Sequence, residues 1–129
     1  PEMAAAFELQ ARRILDKLER ETGLAARIRA EVTEQFRTGT LSMAKVARKL
    51  GMGTATLRRR LEEEDATFTG ITDDLRRELA ERHLTAANPT VSEVAFLLGF
   101  SDVRAFGRAF RRWTGASPTE YRAAHQSRG

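Results

Sequence analysis

The chain has 129 residues, a net charge of +4, 31% charged residues and no cysteine. That length suits one domain, or two small lobes sharing a helix, and excludes two full-sized domains. The absence of thiols excludes disulfides and thiolate metal sites and agrees with a reducing cytoplasm, the expected location.

No apolar run approaches the roughly 18 residues of a membrane span, and no stretch reads as a signal peptide. A start at Pro1 rather than methionine reads as an excerpt of something longer. Apolar residues recur with a period near 3.6 in nearly every segment and no alternating strand pattern competes, so an all-α chain is expected. Phe7, Ala11, Ile14, Leu15 and Leu18 form a first stripe ending near Gly23; Leu24, Ile28, Val32 and Phe36 form a second, ending at Gly39. Ser42 is placed to cap a short helix. Phe68, Ile71, Leu75 and Leu79 define a long connecting helix that stops near Ala87-Asn88-Pro89, because proline cannot continue it. Thr90 with Glu93 is expected to form a capping box for the next helix. After Thr114-Gly115-Ala116-Ser117-Pro118, a last short helix carries Tyr121.

Stripes at helical spacing are core positions. Trp113 continues the row of Phe106, Ala109 and Phe110 and is expected inside the protein rather than as a stacking platform. The Phe7 to Leu18 stripe has three roles open to it: packing on the two lobes, pairing with a second chain, or leading from an absent domain. His83 and His125 have no ligand-spaced partners, and no metal or cofactor is expected.

One helix-turn-helix pattern occurs twice. Met43, Val46, Ala47, Leu50, Gly51 and Met52 match Val91, Val94, Ala95, Leu98, Gly99 and Phe100 at an offset of 48, and Leu57 and Leu61 match Phe106 and Phe110 at 49. One residue is thus inserted in the second turn, at Ser101-Asp102. Ala47 and Ala95 let two helices approach closely, while Gly51 and Gly99 suit a turn that needs positive φ.

Charge tracks the repeat. Residues 35–61 hold seven basic residues and no acid, residues 103–119 hold four and no acid, and residues 62–81 hold eight acids against Arg76 and Arg77. Two acid-free basic blocks, each on the second helix of a repeat, point to a surface for a polyanion.

A helix that reads a groove buries one side and offers the other. With Leu57 and Leu61 inward and about 100° per residue, Arg59 points outward, Ala55 nearly so, and Arg58 and Arg60 lie on the flanks. In the second copy Phe106, Ala109, Phe110 and Trp113 face inward, so Arg104, Arg108 and Arg111 share the outward face. Arginine suits such a place because its planar fork matches guanine O6 and N7. Lys45, Arg48, Arg60, Arg111 and Arg112 are candidates for phosphate contacts, which hold register without specifying sequence. Gly107, in mid-helix where glycine is unfavourable, leaves either a close approach to a backbone or base edge, or simple tolerance.

Residues 25–122 resemble the DNA-binding domain of the AraC/XylS family of bacterial transcription regulators. The resemblance is strongest over 91–102 and 105–122, and continues in Val46-Ala47, Leu50-Gly51-Met52, Thr56-Leu57, Arg59-Arg60-Leu61 and Thr67-Phe68. It implies two helix-turn-helix lobes, a homeodomain-like tandem, joined by one long helix and entering successive major grooves. The positions that match the family's base-reading sites are Ala55, Arg58 and Arg59 in the first lobe and Val103, Arg104, Gly107 and Arg108 in the second.

The implied layout is a linker or N-terminal helix from a missing regulatory or dimerisation domain over 1–23, a first lobe over 24–66, a connecting helix over 67–88, a second lobe over 89–124 and a tail over 125–129. It further implies RNA polymerase as a partner, an effector acting only through the missing domain, and a homodimer in the intact protein. Gly53 departs from the capping serine common at that position, Asp65 from a usual glycine, and Arg104 from a small polar residue.

A sequence-specific regulator that binds duplex DNA is therefore expected, with no membrane association. Two other readings stay open: an architectural binder that uses phosphates and DNA shape, and a protein-interaction module. No nucleophile-base pair, paired carboxylates or phosphate-cradling glycine loop suggests an enzyme.

Overall fold

In a computed structural model, residues 2–86 and 88–126 are described, and they form eight helices and no strand: α1 Glu2–Thr22, α2 Leu24–Thr38, α3 Met43–Lys49, α4 Thr54–Glu63, α5 Phe68–Thr85, α6 Val91–Leu97, α7 Val103–Thr114 and α8 Pro118–His125. Polar residues with a free oxygen mark most of the starts. Ser42, Thr67, Thr90, Asp102 and Ser117 accept from the backbone N–H three residues on, each satisfying an amide that the helix cannot pair internally. The expected Thr90–Glu93 box forms in one direction only, because the Thr90 hydroxyl also donates to the Glu93 carboxylate. The reciprocal box lies instead at Ser117, whose N–H donates to Glu120 Oε1 at 2.8 Å. Ala87, within the expected stop of the connecting helix, lies outside the described residues; α5 itself ends at Thr85.

Two apolar cores share α5. Ile28, Val32 and Phe36 from α2, Val46 and Ala47 from α3, Leu57 and Leu61 from α4, and Leu75 from α5 are buried together. Ala80 and Leu84 from α5 join Val94, Ala95, Leu98, Phe106 and Phe110 in the second core, and Leu79 touches both. At about 100° per residue, Ala80 and Leu84 lie about 140° and 180° around the helix from Leu75. α5 therefore changes its buried face halfway along, and the stripe of Phe68, Ile71, Leu75 and Leu79 describes only its first half.

The cores differ in chemistry. The first is aliphatic apart from Phe36 and the half-buried Phe68. The second is a chain of rings, Phe100–Phe106 at 5.4 Å, Phe106–Phe110 at 5.8 Å, Phe110–Trp113 at 6.4 Å and Phe110–Tyr121 at 5.2 Å between centroids. These tilted and edge-on arrangements are those aromatic quadrupoles prefer. Trp113, expected inside, is half-buried and packs against this core.

α1 meets α2, while three large side chains of its apolar stripe stay open to solvent. Phe7, Ile14 and Leu15 are 67%, 60% and 62% exposed. Packing on the two lobes, one of the three roles open to that stripe, does not cover these three side chains. The chain turns at Gly23, and none of the α1 stripe joins the first core.

A polar clamp orders the entry to the first motif. Ser42 N–H donates to Gln35 Oε1 at 2.7 Å, and Gln35 Nε2 donates to Ser42 O at 3.3 Å, with Gln35 itself buried. One side chain thus ties the end of α2 to the start of α3. Replacing Gln35 by alanine takes the partner from the part-buried Ser42 N–H, while Ser42 O keeps the bond from Val46 N–H. The expected loss is about 1–3 kcal/mol of stability in urea unfolding; an unchanged midpoint would mean that the clamp contributes nothing.

Candidate nucleic-acid interface

The two motifs repeat atom by atom. In the first turn Leu50 N–H donates to Val46 O at 3.1 Å, Gly51 N–H to Arg48 O at 3.0 Å and Met52 N–H to Ala47 O at 2.9 Å; in the second, Leu98 donates to Val94 O at 3.1 Å, Gly99 to Phe96 O at 3.0 Å and Phe100 to Ala95 O at 3.0 Å. Gly51 and Gly99 close these turns at φ +77° and +81°, a region costly for residues with a Cβ. Ala47 and Ala95 are buried in the core of each motif. α4 and α7 are thereby held in the same way within their own lobes.

The starts of these two helices differ. Asp102 Oδ1 accepts from Ala105 N–H at 2.7 Å, whereas Gly53 offers α4 no side-chain acceptor. At the same cap position, the second copy thus has an acceptor that the first lacks. Asp65, standing where the family usually has glycine, holds φ +54° in the turn after α4; aspartate is one of the few residues that tolerates this conformation.

Beyond the buried rows, Ala55, Arg58, Arg59 and Arg60 on α4 are exposed, as are Val103, Arg104, Arg108, Arg111 and Arg112 on α7. Arg104, Gly107, Arg108 and Arg111 line one shallow groove, which Ser117 closes from the start of α8. A Cβ at Gly107 would meet nothing within 4 Å, so no contact inside the chain calls for the glycine. Arg58 faces a hollow beside Glu62 and Thr67. Lys45 and Arg48 lie with Glu31 and Glu34 along α2 and α3, a surface of mixed charge.

Arg29 pairs with Glu78, Arg37 with Glu34, Arg77 with Glu81 and Arg111 with Glu120. Among the described residues Arg58, Arg59, Arg104 and Arg108 pair with no carboxylate. Arg111 is thus partly compensated at 3.2 Å, and the Glu120 carboxyl is held below the usual carboxylate range first by the Ser117 backbone N–H, then by the Ser117 side chain and Arg111.

Two residues to which the sequence assigned no role tie α8 to α5. Arg122 Nε donates to Leu84 O at 3.0 Å and Nη2 to His83 O at 3.4 Å, capping the C-terminus of α5. The Tyr121 hydroxyl donates to Glu81 at 3.3 Å, and its pKa is raised by burial and by that carboxylate. An arginine in the middle of a short terminal helix gives no sequence signal of such a distant partner.

A helix-turn-helix domain family model matches residues 46–124. Over 118 residues the chain is 37% identical to the ornithine utilization regulator of Pseudomonas aeruginosa, covering 91% of this chain and 34% of that protein. It also resembles the crystal structure of the transcriptional regulator CdpR from Pseudomonas aeruginosa, with 37% identity, a TM-score of 0.70, and coverage of 84% of this chain and 34% of that one. The chain belongs to the AraC-type helix-turn-helix family of transcription regulators. A further similar structure is the DNA-binding domain of AdpA in complex with a target DNA, at 30% identity and a TM-score of 0.61, covering 74% of this chain and 90% of that one. The chain spans about a third of the length of the first curated relatives it matches. It is a helix-turn-helix domain of the kind found in DNA-binding regulators of transcription. No helix among the described residues is long and apolar enough to cross a membrane.

The contrast between the two caps has a measurable outcome. Asp102→Ala is expected to cost about 1 kcal/mol in thermal unfolding, while Gly53→Ser gains only about a few tenths, since glycine is itself a tolerable N-cap. Equal and negligible effects would show that neither helix start limits stability.

Proposed function

We propose that α4 and α7 are two recognition helices that read successive major grooves of one duplex, at half-sites about one helical turn apart. The outward arginines carry this reading: Arg58 and Arg59 on one arm, Arg104 and Arg108 on the other, are exposed on the free faces of α4 and α7 and, among the described residues, in no ion pair. Ala55, Arg58 and Arg59 read bases in the first half-site, and Val103, Arg104, Gly107 and Arg108 in the second. The open space at Gly107 suits close approach by a base edge. Lys45, Arg48, Arg60, Arg111 and Arg112 hold phosphates, with Arg111 released from Glu120 as it does so.

The function is regulation of bacterial transcription initiation, with RNA polymerase as the protein partner. Effector binding and dimerisation belong to the part of the protein that lies outside this chain, to which residues 1–23 connect. An architectural binder would leave the arginine forks without a sequence-dependent role.

Selection of binding sites from a random duplex pool tests this at near-physiological salt. Two enriched blocks about 10 base pairs apart are expected. Arg59→Ala and Arg108→Ala should each lose about 1–3 kcal/mol at the selected site and relax preference in a different block, whereas Arg112→Ala weakens all sequences alike and lowers the salt slope by about one. A pool that stays random, or a footprint indifferent to Arg108→Ala, would count against the assignment.

A further inference from the structure

We infer that Arg76 fixes the angle between the two lobes and thereby selects the half-site spacing, an inference that rests on the two-armed reading of α4 and α7. Arg76 leaves α5 between Leu75 and Ala80, where the helix changes its buried face. Its guanidinium carbon lies 5.1 Å from the ring centre of Phe36, in the first core, and 4.7 Å from that of Phe100, which packs on the second. Its Nε donates to Leu98 O at 3.1 Å, the carbonyl that closes α6. A Cβ at Gly99 would stand 3.4 Å from Phe36 Cδ1 and 3.6 Å from Arg76 Nη2, so the second turn lies directly against both.

One planar cation thus touches α2 and the α6–α7 turn from its place on α5. A shared helix alone joins two lobes as a rod, about whose axis each lobe can tilt; a side chain wedged between rings from both lobes removes that freedom. The group is half-buried, which lowers its pKa, with Asp73 opposing; a guanidinium keeps its charge regardless. Lysine cannot reproduce the contact, because an ammonium has no plane to lay on two rings and no Nε to point at the carbonyl. Arg76 touches no base in this scheme. It is a positioning residue, and it acts on spacing rather than on base preference.

The absence of cysteine allows spin labels at Ala44→Cys on α3 and Ala123→Cys on α8, both exposed. With Arg76 intact a narrow distance distribution is expected, and Arg76→Met and Arg76→Lys broaden it while helical content by circular dichroism stays constant. In site selection the same variants keep the base preferences of each block but accept spacings that differ by one or more base pairs. Affinity for the originally selected site falls at least about tenfold with little change for an isolated half-site, because loosened geometry lowers the effective concentration of the second arm. An unchanged distribution with an unchanged single spacing overturns the assignment. Should Arg76→Met lose helical content, Arg76→Lys and Phe100→Leu decide by the same readouts. If the unmodified chain enriches no paired blocks, the two-armed reading fails, and the distance distributions still decide whether Arg76 locks the lobes.

Discussion

The change of buried face along α5 is the constraint on which the rest depends. Leu75 and Leu84 are separated by about 13 Å of rise and half a turn of azimuth, so one helix completes two cores that open to opposite sides. α3 and α6 are seven residues each, far too short to be helical on their own in water. They persist because α4 or α7 covers one side and the core to which α5 contributes covers another. Removing α5 would take Leu75 from the first core and Ala80 and Leu84 from the second, and with them the one helix that contributes to both.

Much of this was legible in the sequence because the determining physics is local. The repeat from Val46 to Met52 and from Val94 to Phe100 specifies its turn through a glycine at positive φ and a small residue beneath it, both steric demands within a few residues. Period and cap residues placed the helices for the same reason, although Thr90 and Glu93 show that a capping pattern can be realised in one direction only.

What the sequence concealed is tertiary. A stripe search tracks a single row along α5 and so finds Leu75 and Leu79 but not Ala80 and Leu84, which belong to another face. Gln35, Arg76 and Arg122 belong to no apolar stripe, yet each bonds a backbone carbonyl that ends or precedes another helix. The partners of Arg76 and Arg122 lie 22 and 38 residues away, beyond any local pattern. The α1 stripe shows the converse. Its helical period is real, but whether a stripe is covered depends on where the helix goes, and α1 meets α2 while Phe7, Ile14 and Leu15 stay open to solvent.

The distribution of charge is more telling than its sum. On α7, Arg104, Arg108 and Arg111 stand at i, i+4 and i+7, where like charges destabilise a helix by about a few tenths of a kcal/mol per pair; on α4 three consecutive arginines have no acid within their helix until Glu62. Acids are available nearby, since Glu62 to Asp65 come directly after these arginines and Glu120 reaches Arg111. A surface shaped by stability alone would interleave them, as α5 does with Arg77 and Glu81. Repulsion is instead concentrated on the outward faces of the two helices that the aromatic and aliphatic cores hold most firmly, and a concentrated, rigidly presented positive field is what a polyanion relieves on binding. The same rigidity explains why the repulsion is tolerated: Leu57, Leu61, Phe106 and Phe110, all at most 1% exposed, anchor these helices through burial worth several times the electrostatic strain they carry.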